Sequence, residues 1–169
     1  LRKRIALVAV SALGFGLVST VPALAADSAG TAAIGPVRVS MTGAAQDSVN
    51  SCDNTSINLH KALMSAVALR PGRTEIVIDV NNFPTVIYIA QSVADQHNMK
   101  LVAVPADEII GAINTNTAVV TATHVDYRSA QILDVEGITK SAHTNGALMV
   151  WDLAHTAGAV PFHAAELDV

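Results

Sequence analysis

The stretch TEIVIDVNNFPTVIYIAQSVADQHNMKLVAV, residues 74–104, decides the fold. Its two ends, 74–80 and 99–104, are short apolar runs rich in β-branched residues, which is typical of buried strands. Between them, residues 85–97 repeat apolar side chains at helical spacing. A strand, a helix and a second strand in this order are typical of a βαβ unit in a parallel sheet.

The same alternation continues on both sides of this unit. Upstream, residues 57–70 form an amphipathic helix that the polar residues 53–56 can cap. Downstream follow a helix started by Pro105 (105–113), the strand 117–123, a helix near 135–144 and the strand 147–152. The sequence therefore predicts a three-layer α/β fold with a mostly parallel sheet, whose ligands bind at the carboxyl ends of its strands.

The first 50 residues differ in character. Residues 1–26 combine a basic start, an uncharged apolar run and a small-residue site at Ala23–Ala25, which is the layout of a secretory signal peptide. A buried helix or a membrane span is the alternative. Residues 27–50 are rich in Ala, Gly, Ser and Thr and predict a linker or a poorly ordered segment. The α/β domain is then expected at 51–169.

Composition excludes several classes of protein. The chain has 169 residues, a formal charge of -4 and 51% hydrophobic residues, which excludes a basic nucleic-acid binder and a disordered chain. The single cysteine, Cys52, excludes a disulfide framework and a cysteine-based zinc site. The six histidines are dispersed and predict no metal site. Neither a serine-hydrolase elbow nor a phosphate-binding P-loop or Rossmann motif occurs in the sequence.

Two places at predicted loop and helix boundaries carry candidate binding residues. Thr55 and Ser56 lie at a helix start, where free backbone N–H groups and two hydroxyls can bind a phosphate, although ordinary helix capping is the simpler interpretation. Phe83 precedes Pro84, which holds it in an extended conformation. Such an aromatic residue can stack on a ligand ring or fill the core.

Asp152 is the sharpest candidate, because it ends an apolar strand and its carboxylate needs a partner. It can cap the next helix or pair with a cation such as a protonated ring nitrogen. His155 follows three residues later, and Thr123 ends the neighbouring strand. We expect Thr55, Phe83, Thr123 and Asp152 to meet at one edge of the sheet.

These residues belong to blocks that resemble a known family. Residues 51–169 resemble kynureninase, a pyridoxal-phosphate enzyme of the aspartate aminotransferase fold, known as fold type I. The resemblance rests on five blocks in order: DNTSINL (53–59), LRPGR (69–73), NFPT (82–85), THVDYR (123–128) and WDLAHTAGAVP (151–161). It covers most of the last 119 residues, and the chain is then expected to hold part of the family's large domain.

The resemblance implies a cofactor, a substrate and a reaction. Pyridoxal 5'-phosphate would bind with Asp152 holding its pyridine nitrogen protonated and Phe83 stacked on its ring. The full set of implied cofactor-site residues is Thr55, Ser56, Phe83, Thr85, Thr123, Asp152 and His155. The family hydrolyses the Cβ–Cγ bond of L-kynurenine, or of its 3-hydroxy form, to anthranilate or its hydroxy derivative and L-alanine, and it is a cytoplasmic homodimer.

The sequence also departs from the family. Val86 stands where kynureninases commonly have an acid, and the family's Schiff-base lysine would come after Val169. No catalytic residue is therefore predicted here, and the chain is expected to be an inactive fragment. The signal-like segment predicts export, in conflict with a cytoplasmic family. The alternatives are another fold type I enzyme, similar to a cysteine desulfurase, or a non-catalytic exported surface or binding protein.

Overall fold

The computed structural model describes residues 38–39, 49–50 and 54–167. The predicted leader, 1–26, lies outside the described residues. Of the segment predicted as a linker, the structure describes two short strands, β1 (Arg38–Val39) and β2 (Val49–Asn50), which pair antiparallel.

From residue 54 onwards, helices and strands alternate. In chain order they are α1 (Thr55–Ala68), β3 (Glu75–Asp79), α2 (Pro84–Gln96), β4 (Lys100–Val104), α3 (Ile109–Ala112), β5 (Thr117–Thr123), α4 (Val135–Thr144), β6 (Leu148–Asp152) and α5 (Ala164–Leu167). None of the helices in the described ranges is long and apolar enough to cross a membrane.

Strands β3 to β6 form one sheet with the order β4-β3-β5-β6, and all three strand pairs are parallel. A helix lies between each strand and the next along the chain. The predicted α/β fold with a parallel sheet is confirmed. Its register aligns Thr123, the last residue of β5, with Asp152, the last residue of β6.

The sheet is the middle of three layers, because alternate strand residues face opposite sides. Ile76 and Ile78 of β3 pack with α1 and α2, whereas Val77 between them packs with α3 and α4. All three side chains are fully buried. Burial of an aliphatic side chain of this size contributes about 1.5–3 kcal/mol. The two faces of the sheet therefore hold separate hydrophobic clusters.

The path of the chain brings both α1 and α2 to the carboxyl end of the sheet. After α1, the chain turns at Pro71–Gly72 and enters β3, so helix and strand run in opposite directions. The N terminus of α1 consequently lies toward the carboxyl end of the strands. Helix α2 follows β3 and begins at that same end.

One predicted element differs in the structure. The expected helix 105–113 is a 3-10 turn at Ala106–Glu108 followed by the single-turn α3. Pro105 is extended, and neither the 3-10 turn nor α3 has a side-chain N-cap bond. Gly111, which favours helix less than most residues, lies inside α3. The remaining predicted helices and strands occur within about two residues of the expected bounds, which is the usual uncertainty of element ends.

Candidate functional site

Three polar residues end neighbouring strands at the carboxyl edge of the sheet. Asp79 ends β3, Thr123 ends β5 and Asp152 ends β6. Thr123 and Asp152 are register partners, and the N–H of the next residue, His124, donates to the carbonyl of Asp152 over 3.1 Å. Parallel strands lie about 4.8 Å apart, so these side chains leave the sheet close together.

Asp152 is buried, with 6% of its surface exposed. Its Oδ1 accepts a hydrogen bond from the N–H of Ala154 over 2.8 Å. This contact closes a turn rather than capping a helix, because the next helix, α5, begins only at Ala164. Burial raises the pKa of the Asp152 carboxyl, and the Ala154 N–H and the nearby His155 oppose this with smaller effects. A protonated heterocyclic nitrogen is the kind of cation that such a carboxylate would bind strongly.

Phe83 does not fill the core. It is 45% exposed, and its ring packs edge-on against Tyr127 with the ring centroids 5.1 Å apart. The Tyr127 ring lies 6.3 Å from that of His155 at an angle of 26°. The guanidinium of Arg128 lies 5.2 Å from the centre of the Tyr127 ring. The mouth of the sheet therefore carries an accessible group of flat side chains, of which Tyr127 and Arg128 were not assigned a role from the sequence.

Asn82 is a third residue to which the sequence assigned no role, although it lies in the quoted NFPT block. It is buried, and its Oδ1 accepts hydrogen bonds from the Thr123 hydroxyl and from the N–H of Phe83, each over 2.7 Å. Arg128 donates to the carbonyl of Asn81 over 2.7 Å. These contacts join the loop after β3 to the segment after β5.

The structure shows which residue caps the N terminus of α1. Asn54 is the N-cap, and its Oδ1 accepts from the N–H of Ile57 over 3.0 Å. Thr55 and Ser56 are half-buried in the first turn, where N–H groups lack partners within the helix. The hydroxyl of Thr55 is buried and has no hydrogen-bond partner within residues 54–167. Thr55 is therefore not needed as the cap.

Thr85 and Val86 occupy the first turn of α2, which begins with Pro84. Thr85 is half-buried and lies two residues after Phe83. Val86 is 4% exposed and packs in the hydrophobic cluster shared with α1. At the position where an acid is common in kynureninases, this chain therefore places an apolar side chain in the core.

Other ionisable groups at this edge respond to burial or to local hydrogen bonds. Burial raises the pKa of Asp79, whose Oδ1 accepts from the N–H of Asn81. Burial lowers the pKa of His124, whose Nδ1 lies 3.1 Å from the Thr156 hydroxyl. The N–H of Ser129 leads the hydrogen bonds that lower the pKa of Asp126. Among the residues that the structure describes, no group of three or more His, Asp or Glu side chains could hold a metal ion.

Four of the seven candidate residues are connected at this edge of the sheet: Phe83, Thr123, Asp152 and His155. Asn82 bonds to Phe83 and Thr123, Tyr127 contacts Phe83 and His155, and Thr123 is the register partner of Asp152. The other three, Thr55, Ser56 and Thr85, lie in the first turns of helices that begin at the same end of the sheet. The donor set suits a flat phosphorylated heterocycle. It combines a buried carboxylate, an accessible aromatic ring and a helix start with a free hydroxyl.

Comparison with known proteins identifies the family. The profile of the class-V aminotransferases matches residues 39–169. The chain belongs to the class-V aminotransferase family. It is 42% identical over 138 residues to the kynureninase of Pseudomonas fluorescens, a match that covers 76% of this chain and 33% of the relative. The kynureninase of Deinococcus radiodurans is also 42% identical, over 120 residues, 70% of this chain and 29% of the relative. The chain thus spans about a third of the length of these relatives.

Solved structures of the same fold include cysteine desulfurases. The enzyme of Thermococcus onnurineus NA1 superimposes with a TM-score of 0.61 at 22% identity, covering 69% of this chain and 31% of that one. The cysteine desulfurase CsdA of Escherichia coli gives 0.57 at 18% identity, covering 66% and 31%. These similarities show fold type I, and at this identity they show the fold alone. The homology to kynureninases and the class-V family imply pyridoxal 5'-phosphate as the cofactor.

Proposed function

We propose that this chain supplies the cofactor-binding part of a kynureninase-like hydrolase that depends on pyridoxal 5'-phosphate. Its substrate would be L-kynurenine or the 3-hydroxy form, cleaved at the Cβ–Cγ bond. The 42% identity to kynureninases supports this choice over a cysteine desulfurase, since the two cysteine desulfurases above share the fold at 22% and 18% identity. The observation that carries the proposal is Asp152, a buried carboxylate at the mouth of the sheet.

Asp152 would hold a proton on the pyridine nitrogen. Pyridoxal phosphate supplies an electron-withdrawing ring that stabilises negative charge on the substrate, and its protonated nitrogen makes it more effective. Burial disfavours the charge of Asp152 when no cation is near, as its raised pKa indicates. A cationic ring nitrogen removes that cost, since the two charges then form a hydrogen-bonded pair in a buried place.

Phe83 would support the face of the ring. Its edge-on contact with Tyr127 fixes its tilt, and its 45% exposure leaves area for a ligand. Pro84 starts α2 directly after it and restricts its backbone to an extended conformation. Thr85, Thr123 and His155 would complete the surroundings of the ring.

The start of α1 would receive the phosphate. The free N–H groups of the first turn and the positive end of the helix dipole attract an anion. Thr55 adds a buried hydroxyl that needs a partner, and Ser56 adds a second hydroxyl beside it. Because Asn54 already caps the helix, a phosphate would not compete with the capping bond.

None of the three lysines in residues 54–167 is placed to bind the cofactor covalently at the candidate site. Lys100 begins β4 at the amino end of the sheet, opposite the candidate site. Lys61 and Lys140 lie in the middle of α1 and α4. We therefore infer that the chain by itself binds the cofactor without releasing anthranilate.

Pyridoxine 5'-phosphate is the suitable probe, because it has the ring and the phosphate but no aldehyde that could react with surface lysines. Trp151, the only tryptophan of the sequence, directly precedes Asp152 and reports binding by its fluorescence. We expect saturable binding that Phe83→Leu weakens about three- to ten-fold, as loss of an aromatic pair of this kind predicts.

Tyr88→Leu is the matched control, because Tyr88 is an aromatic residue of α2 that is 71% exposed. It should bind as the unaltered chain does. Absence of saturable binding to the unaltered chain, or equal affinities of Phe83→Leu and Tyr88→Leu, would contradict the proposed site. Anthranilate release from L-kynurenine and pyridoxal phosphate by the chain alone would contradict the inference about the lysine.

A further inference from the structure

Asn82 lies between two candidate cofactor residues and has a side-chain group that nothing satisfies. Its amide oxygen accepts from the Phe83 N–H and from the Thr123 hydroxyl. A backbone N–H can only donate, so the oxygen of the amide has to face Phe83, and this fixes the orientation of the whole group. The amide nitrogen is then buried with no partner in the described part of the chain.

An unpartnered buried NH₂ is unusual. The large majority of buried polar side-chain atoms in proteins are hydrogen-bonded, and an exception calls for a physical explanation. Asn82 is only 4% exposed, so bulk water does not readily satisfy the group. Its surroundings are also held in place, because Arg128 ties the carbonyl of Asn81 to the loop after β5. The group is therefore a preorganised donor at the mouth of the sheet.

We propose that Asn82 is a further cofactor-binding residue, whose side-chain NH₂ donates a hydrogen bond to the ring 3-oxygen of pyridoxal phosphate. The inference rests on the proposed function. In that arrangement Asp152 takes the ring nitrogen and the start of α1 takes the phosphate. The carbonyl carbon at position 4 is the reacting group. The ring 3-oxygen is an acceptor to which this arrangement assigns no residue, and the NH₂ of Asn82 is a buried donor without a partner in the described residues.

The hydroxyl of Thr123 has a part in this arrangement. It donates to the amide oxygen of Asn82, and so holds the NH₂ in one direction. Thr123 is also the register partner of Asp152. The residues that would bind the nitrogen and the 3-oxygen are thus connected through adjacent strands, which fixes their spacing before the ligand arrives.

The test compares two ligands rather than one. One is pyridoxine 5'-phosphate, and the other is the analogue in which hydrogen replaces the 3-hydroxyl. Asn82→Asp keeps an acceptor for the Phe83 N–H and exchanges the NH₂ for an oxygen. Added negative charge or a general disturbance of the loop weakens the binding of both ligands by the same factor. The ratio of their dissociation constants therefore isolates the proposed hydrogen bond.

Asn81→Asp is the matched control. It makes the same chemical change one residue earlier, at an exposed side chain, and alters the charge near the site in the same way. Asn82→Ala is the second variant, which removes the amide without adding a charge. The fluorescence of Trp151 and the far-ultraviolet circular dichroism establish that each variant is folded.

We expect the unaltered chain and Asn81→Asp to bind the hydroxylated ligand about ten-fold or more tightly than the analogue. In Asn82→Asp the ratio should fall to about two or less, and in Asn82→Ala likewise. If Asn82→Asp does not fold, Asn82→Ala decides. A ratio that is unchanged in the folded variants, or a ratio near one in the unaltered chain, would overturn this inference while leaving the proposed function in place. Absence of saturable binding to the unaltered chain would overturn both.

Discussion

Replacement of Asp152 by asparagine should stabilise the chain in the absence of a ligand and weaken its binding of pyridoxine 5'-phosphate. The exchange is nearly isosteric. The Oδ1 of asparagine can still accept from the N–H of Ala154, which now lies 2.8 Å from the carboxylate. The variant therefore exchanges the buried negative charge for a neutral amide, whose NH₂ costs less to bury than a charge, and keeps the hydrogen bond.

The expected gain follows from the cost of burying a charge. Asp152 is 6% exposed, and desolvation is the largest influence on its pKa. A buried charged group without a full set of partners costs on the order of 1–3 kcal/mol. We expect Asp152→Asn to raise the free energy of unfolding by about that amount near pH 8, or about 4–8 °C in melting temperature per kcal/mol.

The raised pKa of Asp152 also determines how its contribution to stability changes with pH. The folded chain holds the Asp152 proton to a higher pH than the unfolded chain, since burial raises the pKa above the ordinary value of 3.8. The unfolded state binds fewer protons in that interval, so the contribution of Asp152 to stability falls as pH rises from the unfolded pKa through the folded one. Below both pKa values the carboxyl is neutral in both states, and the variant and the parent should then differ little.

The assay is urea unfolding followed by circular dichroism at a series of pH values from about 3 to about 8. Asp95→Asn is the matched control, because its Oδ1 also accepts a hydrogen bond over 2.8 Å, from Gln91, but at an exposed site. It should change the unfolding free energy by less than about 0.5 kcal/mol. Saturating pyridoxine 5'-phosphate should reverse the order, since it stabilises the parent more than Asp152→Asn.

Two results would refute this reasoning. One is an Asp152→Asn variant that is less stable than the parent near pH 8, which would mean that the carboxylate already has a strong partner. The other is a gain in stability that does not change with pH, which would mean that the gain does not come from removing the charge of Asp152.

Two further predictions concern a helix start and a turn. Thr55→Val removes the buried unpartnered hydroxyl, so the ligand-free chain should keep its stability or gain up to about 1 kcal/mol. Its binding of pyridoxine 5'-phosphate, measured by Trp151 fluorescence, should weaken about five-fold or more. A large loss of stability would contradict this prediction. Gly146→Ala should cost about 1–2 kcal/mol in urea unfolding, because Gly146 has φ +74° and a Cβ there would lie 2.5 Å from Nη2 of Arg73. The control Gly111→Ala, which meets no atom within 4 Å, should stabilise α3 by about 0.5–1 kcal/mol, and equal effects of the two changes would refute the argument.

The strands and their direction were predictable because each is a continuous apolar run separated from the next by a helical pattern. That pattern also predicted that Asp152 ends a strand. The burial of its carboxylate was not predictable, because it depends on the folded surroundings of the strand end, including the turn in which the Ala154 N–H donates to Asp152. Local sequence likewise left two interpretations of Phe83, and only its contact with Tyr127 in the folded chain decides that the ring is accessible.

Two details were beyond the sequence for different reasons. Four polar residues at 53–56 can each cap a helix, and the choice of Asn54 depends on where the backbone becomes helical. The role of Asn82 depends on Thr123, 41 residues away, so no local pattern could indicate it. Such a contact becomes visible only when the order of the strands is known.

The two ends of the sheet differ in how completely their polar groups are satisfied. At the amino end, two arginines donate hydrogen bonds to backbone carbonyls. Arg73 donates to the carbonyl of Thr117 over 2.6 Å, and Arg70 donates to the carbonyl of Gly146 over 2.8 Å. Asn114 adds a side-chain bond to Glu75 over 2.8 Å. These bonds hold the ends of three strands and stabilise the fold, and they leave no evident demand for a ligand.

The carboxyl end shows the opposite pattern. Three buried side-chain atoms lack a hydrogen-bond partner within the described residues, on Thr55, Asn82 and Thr121. Thr55 begins α1, Asn82 follows β3, and Thr121 lies two residues before the end of β5, so all three belong to the half of the domain that also holds Asp152. Unsatisfied buried groups are costly, and a ligand at this end of the sheet could satisfy those of Thr55 and Asn82. This argument uses no similarity to another protein, and it selects the end of the sheet at which we propose the cofactor site.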